Sequence, residues 1–134
     1  EGGHARVIAG TYGQEKGPAI PKIEARLLDI ILKPDVSWSI EPPMNINLFM
    51  CVYEGSIGAK DNLERTQDII APAVLLFNGS GTVEIMAGKS GASLLYCEGE
   101  PLNEPVARMG PFVMNTKEEL MKAAEDYNAG RLAR

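Results

Sequence analysis

The stretch that decides the fold of this chain covers residues 99–116 and reads Gly99-Glu100-Pro101-Leu102-Asn103-Glu104-Pro105-Val106-Ala107-Arg108-Met109-Gly110-Pro111-Phe112-Val113-Met114-Asn115-Thr116. It holds two turns rich in glycine and proline, with a short apolar segment, residues 106–109, between them. Because proline fixes φ and glycine tolerates positive φ, these residues end regular structure and reverse the chain. The stretch leads directly into a helix start signal at Thr116.

The sequence predicts one helix, over residues 116–129. Thr116 and Glu119 have the spacing of a capping box, in which each side chain satisfies a free backbone N–H of the other residue. Gly130 supplies a stop signal. Apolar residues recur on one face of the predicted helix: Leu120, Met121, Ala124 and Tyr127.

Upstream of this stretch, short apolar runs alternate with turn residues. We predict loops over 11–22 and 59–68, a hairpin turn at Asn78-Gly79, and a strand over 46–53 that is buried on both faces and ends at Glu54-Gly55. Further strands are predicted over 23–32, 38–40, 73–77, 82–85 and 92–97. About seven or eight short strands separated by turn signals indicate an all-β sandwich or closed barrel, followed by one C-terminal helix.

Composition excludes several classes of protein. The 134 residues carry a net charge of −5, are 45% hydrophobic, and show no Lys/Arg cluster of the kind that nucleic-acid binding requires. No apolar run is long enough for a membrane-spanning helix, and no signal-peptide pattern is present. We therefore expect a cytoplasmic protein, or a nuclear one if the source is eukaryotic, with neither membrane nor direct nucleic-acid partners.

The two cysteines, Cys51 and Cys97, both lie in apolar runs that predict strands. They form neither a Cys-x-x-Cys pair nor a Cys/His cluster, so free, partly buried thiols are the favoured interpretation. The sequence leaves a disulfide between them open.

The chain resembles the C-terminal cupin half of the pirin family. The resemblance rests on residues 7–10, 16–18 and 24–32, on the 99–116 stretch, and on the closing Asp126-Tyr127-Asn128-Ala129-Gly130. It implies a cupin-type β-sandwich barrel, or double-stranded β-helix, with one C-terminal helix. It also implies a lead-in and linker over 1–22, a barrel over 23–105, and a C-terminal segment over 106–134 that belongs to the same domain.

The resemblance implies that iron is bound elsewhere. Pirin-type iron sites use histidines and a glutamate, a ligand set that suits a redox-active divalent ion, and the family places them in the N-terminal half. Aligned on Glu54-Gly55, the equivalent positions here are Glu41, Pro43 and Asn47, which cannot build that site. The only histidine, His4, lies in the predicted lead-in. We expect no catalytic residue, metal or cofactor in this chain, and iron in the missing half.

Two other groups of residues could form a site. Trp38, Met44 and Phe49 could line an apolar pocket at the barrel mouth, although such residues in strands are more often core. Glu98, Glu100 and Glu104 crowd one turn region, where solvated carboxylates are a simpler interpretation than acid–base catalysis.

The resulting prediction is a metal-free half that gives structural or regulatory support to an iron-binding N-terminal cupin. One alternative is a fragment of an iron oxygenase of the quercetin 2,3-dioxygenase type. Another is a module that binds a small molecule or a transcription factor, as family members that act as transcription co-regulators suggest. The resemblance implies that residues 106–116 and the helix pack against the other half, and an isolated chain would then self-associate.

Overall fold

The computed structural model describes residues 2–60, 65–78 and 81–132, and the chain divides into two units, Glu1–Pro101 and Leu102–Arg134. The first unit consists of strands: β1 (Gly3–Ala9), β2 (Thr11–Tyr12), β3 (Glu15–Lys16), β4 (Ala25–Leu32), β5 (Ser37–Ile40), β6 (Asn47–Lys60), β7 (Thr66–Ile70), β8 (Ala73–Phe77) and β9 (Val83–Gly99). The second unit contains β10 (Ala107–Met109), β11 (Phe112–Met114) and α1 (Lys117–Asn128).

The first unit folds into two antiparallel layers that share the long strands β6 and β9. In the front layer, residues 92–99 of β9 lie between β4 and residues 47–55 of β6, with β1 and β8 at the two edges. In the back layer, residues 83–87 of β9 and 56–60 of β6 lie between β5 and β7. This arrangement confirms the predicted all-β sandwich barrel, with a single helix after it among the described residues.

The two long strands change layers at glycines. Gly55 has φ +72° and Gly91 has φ +82°, a region that side chains disfavour. A Cβ atom on Gly55 would lie 2.1 Å from the carbonyl oxygen of Gly91. The pairing register of β6 with β9 also shifts between Val52 and Glu54 and between Gly55 and Ile57, as it does at β-bulges that bend a strand. Glu54-Gly55 therefore bends the strand, whereas the sequence predicted its end.

The core lies between the layers. Strand alternation points every second side chain of β4, β6 and β9 inward, and the largest fully buried side chains are Leu28, Ile30, Met50, Val52, Ile57, Leu94 and Tyr96. Burying one Leu or Ile side chain contributes about 1.5–3 kcal/mol to the free energy of unfolding. The prediction that 46–53 is buried on both faces is wrong, because Phe49 and Tyr53 are exposed on the side of the front layer that faces away from the core.

Several predicted loops contain strands. Residues 3–9, assigned to the lead-in, form β1 and pair with β4, and the predicted loop 11–22 contains the β2–β3 hairpin. Within the predicted loop 59–68, Lys60 pairs with Thr66. These strands contain polar residues, and their polar side chains are exposed to solvent, so they do not prevent strand formation. Residues 61–64 of that loop and Gly79 of the predicted hairpin turn lie outside the described residues.

The second unit packs its helix on the β10–β11 hairpin. The predicted capping box at Thr116 and Glu119 is present, and the ring of Phe112 meets that of Tyr127 edge-on at a centroid distance of 5.8 Å. The buried helix residues are Leu120 and Ala123, so the predicted stripe that included Met121 and Tyr127 is wrong in part. The short hairpin within this unit covers only one side of the helix. No helix in the described part of the chain is long and apolar enough to cross a membrane.

Candidate functional site: an apolar cavity and an exposed sheet face

A cavity of about 690 Å³ opens between the front and back layers. Its polar lining residues, among them Asn78, Thr82 and Glu84, are exposed and form the rim. The deeper lining is hydrocarbon, contributed by both layers: Ile46, Leu48, Ile69, Leu75, Phe77 and Val83. This arrangement can hold an apolar molecule and offers little for acid–base chemistry.

The three positions predicted for degenerate metal ligands do not line this cavity. Glu41 and Asn47 are exposed, and Pro43 is half-buried, whereas the cavity is lined by the neighbouring residues Pro42, Ile46 and Leu48. Successive residues of a strand point to opposite faces, so an offset of one residue moves a side chain out of the barrel. Of the three positions only Asn47 lies in a strand, β6, where it faces away from the cavity; Glu41 and Pro43 lie between β5 and β6.

The residues present do not fit an iron ion. The deeper side chains of the cavity are aliphatic or aromatic and do not ligate a divalent cation, and Glu84 is the single carboxylate among the described lining residues. Within residues 2–60, 65–78 and 81–132, no group of three or more His, Cys, Asp or Glu residues could hold a metal. His4 is exposed on β1, opposite Ile31.

Of the three predicted pocket residues, one lines a cavity. Trp38 borders a smaller depression of about 310 Å³ on the back layer, and its Nε1 donates to the Tyr12 hydroxyl at 3.1 Å. Its ring also meets the buried ring of Tyr96 edge-on, with centroids 5.7 Å apart. Met44 is 78% exposed and Phe49 lies on the outer face, so neither joins Trp38. The predicted pocket is therefore not assembled.

A buried ionic cluster lies inside the barrel, and the sequence did not reveal it. The Glu98 side chain is 3% exposed and lies 3.1 Å from Nη2 of Arg26. The Tyr96 hydroxyl donates a short hydrogen bond to the same carboxylate. Burial, together with Glu98, raises the pKa of Tyr96 far above its usual range, so this phenol stays a donor. The signal that could have revealed the cluster is the alternation Leu94, Tyr96, Glu98 on one strand face.

Glu100 and Glu104, the other two carboxylates of the predicted crowded turn, lie in different surroundings from Glu98. Glu100 is exposed, and its backbone N–H donates to the carbonyl of Glu24. In the second unit, Glu104 accepts a hydrogen bond from Nδ2 of Asn115 at 2.9 Å, and that amide also donates to the carbonyl oxygen of Pro105. This part of the 99–116 stretch thus stabilises the start of the helix. Gly110, with φ +55°, lies in the turn between β10 and β11.

The outer face of the front layer is apolar and exposed. Cross-strand pairing aligns Leu27, Cys97, Phe49 and Leu76 in one row and Leu95, Cys51 and Val74 in the next. Phe49 is 42% exposed, Val74 63% and Leu76 76%. We call these seven residues the outer face. Contiguous exposed apolar side chains of this kind typically mark an interaction surface.

Both cysteines lie on the outer face as free, half-buried thiols. Burial and the neighbouring Cys51 raise the pKa of the Cys97 thiol above its ordinary value. The favoured interpretation from the sequence is therefore confirmed. The two thiols are diagonal neighbours, because Cys51 lies opposite Leu95 and Cys97 lies opposite Phe49.

A polar cluster adjoins the apolar rows on the same face of the front layer. Asp29, largely buried, accepts hydrogen bonds from Nη2 of Arg6 and from the Tyr53 hydroxyl, each at 2.7 Å. The hydrogen bond to Asp29 raises the pKa of Tyr53 above its ordinary value. Alongside, Ser93 donates to Glu54 at 3.3 Å. The outer face is thus bordered by oriented polar groups, as the rim of a specific interface is.

Comparisons with known proteins agree with this architecture. The pattern of the pirin C-terminal cupin domain matches residues 27–133. Pirin-1 from Arabidopsis thaliana is 33% identical over 128 residues, which cover 94% of this chain and 44% of that protein. A pirin-like protein from Solanum lycopersicum is 30% identical over 131 residues, covering 98% and 45% respectively.

A solved structure shows the same fold. The crystal structure of a quercetin 2,3-dioxygenase from Acinetobacter baumannii superposes with a TM-score of 0.82 and 32% identity, covering 98% of this chain and 44% of that one. The chain thus spans less than half the length of these relatives.

Proposed function

This chain belongs to the pirin family as its C-terminal cupin domain, and from that premise we propose that it is the docking half of a two-cupin protein. In this proposal the outer face binds the N-terminal cupin half and supports it, while any iron is held by that other half. The observation that carries the proposal is the exposed apolar surface of Phe49, Val74 and Leu76 on strands whose opposite side packs in the core.

The occupant of the outer face follows from the lengths of the relatives. Each of them continues for more than half its length beyond the part matched here, which is enough for a second cupin unit. An aromatic side chain at the centre of an apolar patch is the usual anchor of an interface, and Phe49 lies between Leu76 and Cys97 in the row. The Asp29 cluster supplies polar groups at its edge.

The second unit offers additional apolar surface for the same partner. Val106, Met109 and Val113 are all exposed, which supports the expectation that the 106–116 segment takes part in an interdomain contact. Self-association of the isolated chain, a cytoplasmic or nuclear location, and a transcription-factor partner remain predictions.

The docking role is tested by expressing the upstream cupin half and this chain as separate polypeptides and measuring their association by sedimentation velocity. We expect a one-to-one complex. Phe49→Glu should weaken it by at least about tenfold, since it places a charge in the desolvated centre of the contact. The matched control is Met86→Glu, which adds the same charge at an exposed Met on the back layer and should leave the affinity unchanged. Equal losses in both variants, or no complex at all, would overturn the proposal.

A second candidate function concerns the intact protein. The Acinetobacter structure, similar to this chain at 32% identity, bears the name quercetin 2,3-dioxygenase, which favours oxygenase activity in a longer protein that contains this chain. We propose that the reaction then takes place in the other half, because the residues of this cavity do not fit iron. Oxygen uptake with quercetin by the iron-loaded intact protein would support this function, and its absence would count against it. This chain alone should show no turnover.

A further inference from the structure

We propose that the cavity between the layers is a binding site for an uncharged, mainly apolar small molecule with one polar end. Its volume of about 690 Å³ falls within the range of small-molecule sites, about 300–1,000 Å³. Such sites combine hydrocarbon walls with a few convergent polar groups. The same combination is present here, with Leu48, Leu75, Phe77 and Val83 below an exposed rim.

The chemistry of the lining selects the class of ligand. The deeper side chains can exclude water from an aromatic or aliphatic body but provide neither a hydrogen-bond donor nor an acceptor. Hydroxyl and amide groups are confined to the rim, at Thr82 and Asn78. The ionisable lining groups, Lys60 and Glu84, have opposite charges, so the rim favours neither an anion nor a cation. A hydroxyl or amide at one end of the ligand would meet this rim.

The deeper part of the site lies on the opposite side of the strands from the outer face, although Val74 and Leu76 of the outer face also line its edge. Leu75 lies opposite the fully buried Met50, whereas Phe49, the next residue of β6 before Met50, points outward. A ligand in the cavity and a protein on the outer face would therefore contact opposite sides of the same strands. Leu75 lines only the cavity and Phe49 belongs only to the outer face, so a substitution at either residue is directed at one site.

The probe is N-phenyl-1-naphthylamine, a neutral aromatic amine whose fluorescence rises in apolar surroundings, titrated into the whole 134-residue chain. We expect saturable binding of one probe per chain, competed by 1-naphthol. Leu75→Trp, which fills the cavity, should weaken binding at least about tenfold. The matched control Ile31→Trp adds the same ring at an exposed residue of the front layer that lines neither the cavity nor the outer face, and binding should stay within about twofold. A titration that does not saturate, or equal weakening by both variants, would overturn the proposal.

A second measurement on the unaltered chain keeps the proposal testable if Leu75→Trp fails to fold. Methyl NMR spectra recorded with and without 1-naphthol should show shifts at Leu48, Leu75 and Val83. Shifts confined to Leu27 and Ile31, which belong to the exposed side of the front layer, would place the ligand elsewhere and overturn the proposal. Absence of any shift at saturating 1-naphthol would do the same.

Discussion

Arg26→Met should strongly destabilise the barrel, because it removes a partner of the buried Glu98 carboxylate. The guanidinium lies 3.1 Å from the carboxylate, and the two side chains are 21% and 3% exposed. Removing one partner of a buried ion pair costs about 3–5 kcal/mol, since the other charge is left without compensation. Tyr96 still donates to Glu98 in the variant, and the pair is partly open to water on the Arg26 side, so the lower end, about 3 kcal/mol, is expected.

The assay is urea unfolding followed by the fluorescence of Trp38, whose ring packs edge-on against Tyr96. With a slope of about 2 kcal/mol/M, a loss of 3 kcal/mol moves the midpoint down by about 1.5 M. Adding Glu98→Gln to the Arg26 variant should recover part of the loss, because a neutral amide oxygen still accepts from Tyr96 without a buried charge.

The matched control is Arg6→Met. Arg6 pairs with Asp29 at a shorter distance, 2.7 Å, but its side chain is 72% exposed, so a loss below about 1 kcal/mol is expected. If Arg26→Met also cost less than about 1 kcal/mol, the pair would behave as a surface ion pair. The reasoning from burial would then be refuted.

Three further predictions concern other parts of the chain. Gly55→Ala should cost about 3 kcal/mol or more in thermal unfolding, because the added Cβ meets a carbonyl oxygen at 2.1 Å and φ is positive. Gly13→Ala, also at positive φ but with open space around it, should cost about 1 kcal/mol, and a larger cost than that of Gly55→Ala would contradict the steric argument. Thr116→Ala should cost about 1 kcal/mol of helix stability by circular dichroism, and no change would show that the cap contributes nothing. The pKa of Cys97 is raised, so this residue should have less thiolate than a free cysteine at any given pH. Its alkylation rate should therefore rise at a higher pH than that of free cysteine. A pH–rate profile that matches free cysteine would contradict this.

Local signals in the sequence predicted the helix start correctly. The Thr116 cap depends on residues three positions apart, so the sequence contains all the information that this feature needs. The extent of the apolar helix face could not be predicted in the same way, because it depends on how much of α1 the hairpin covers. Strand positions such as β4 and β8 were also predicted, since hydrophobic runs bounded by turn residues identify them locally.

Features that depend on pairing between distant strands were not predictable. Glu54-Gly55 ends an apolar run in the sequence, yet the strand continues because β9 and β7 supply hydrogen-bond partners. The cavity residues Leu48 and Leu75 could not be identified from the sequence for the same reason, since one residue of register reverses the face to which a side chain points. Glu98 looked like a solvated turn residue because Arg26, its partner, lies 72 positions away in the chain.

Thiol alkylation tests the docking proposal most directly, because Cys51 and Cys97 lie on the outer face beside Phe49. The rates of iodoacetamide labelling of both thiols are measured by mass spectrometry in this chain alone and in the intact two-cupin protein. If the N-terminal half covers the outer face, both thiols should react at least about tenfold more slowly in the intact protein, because a covered thiol is inaccessible to the reagent. Equal rates in the two proteins would show that the outer face stays open and would contradict the proposed docking.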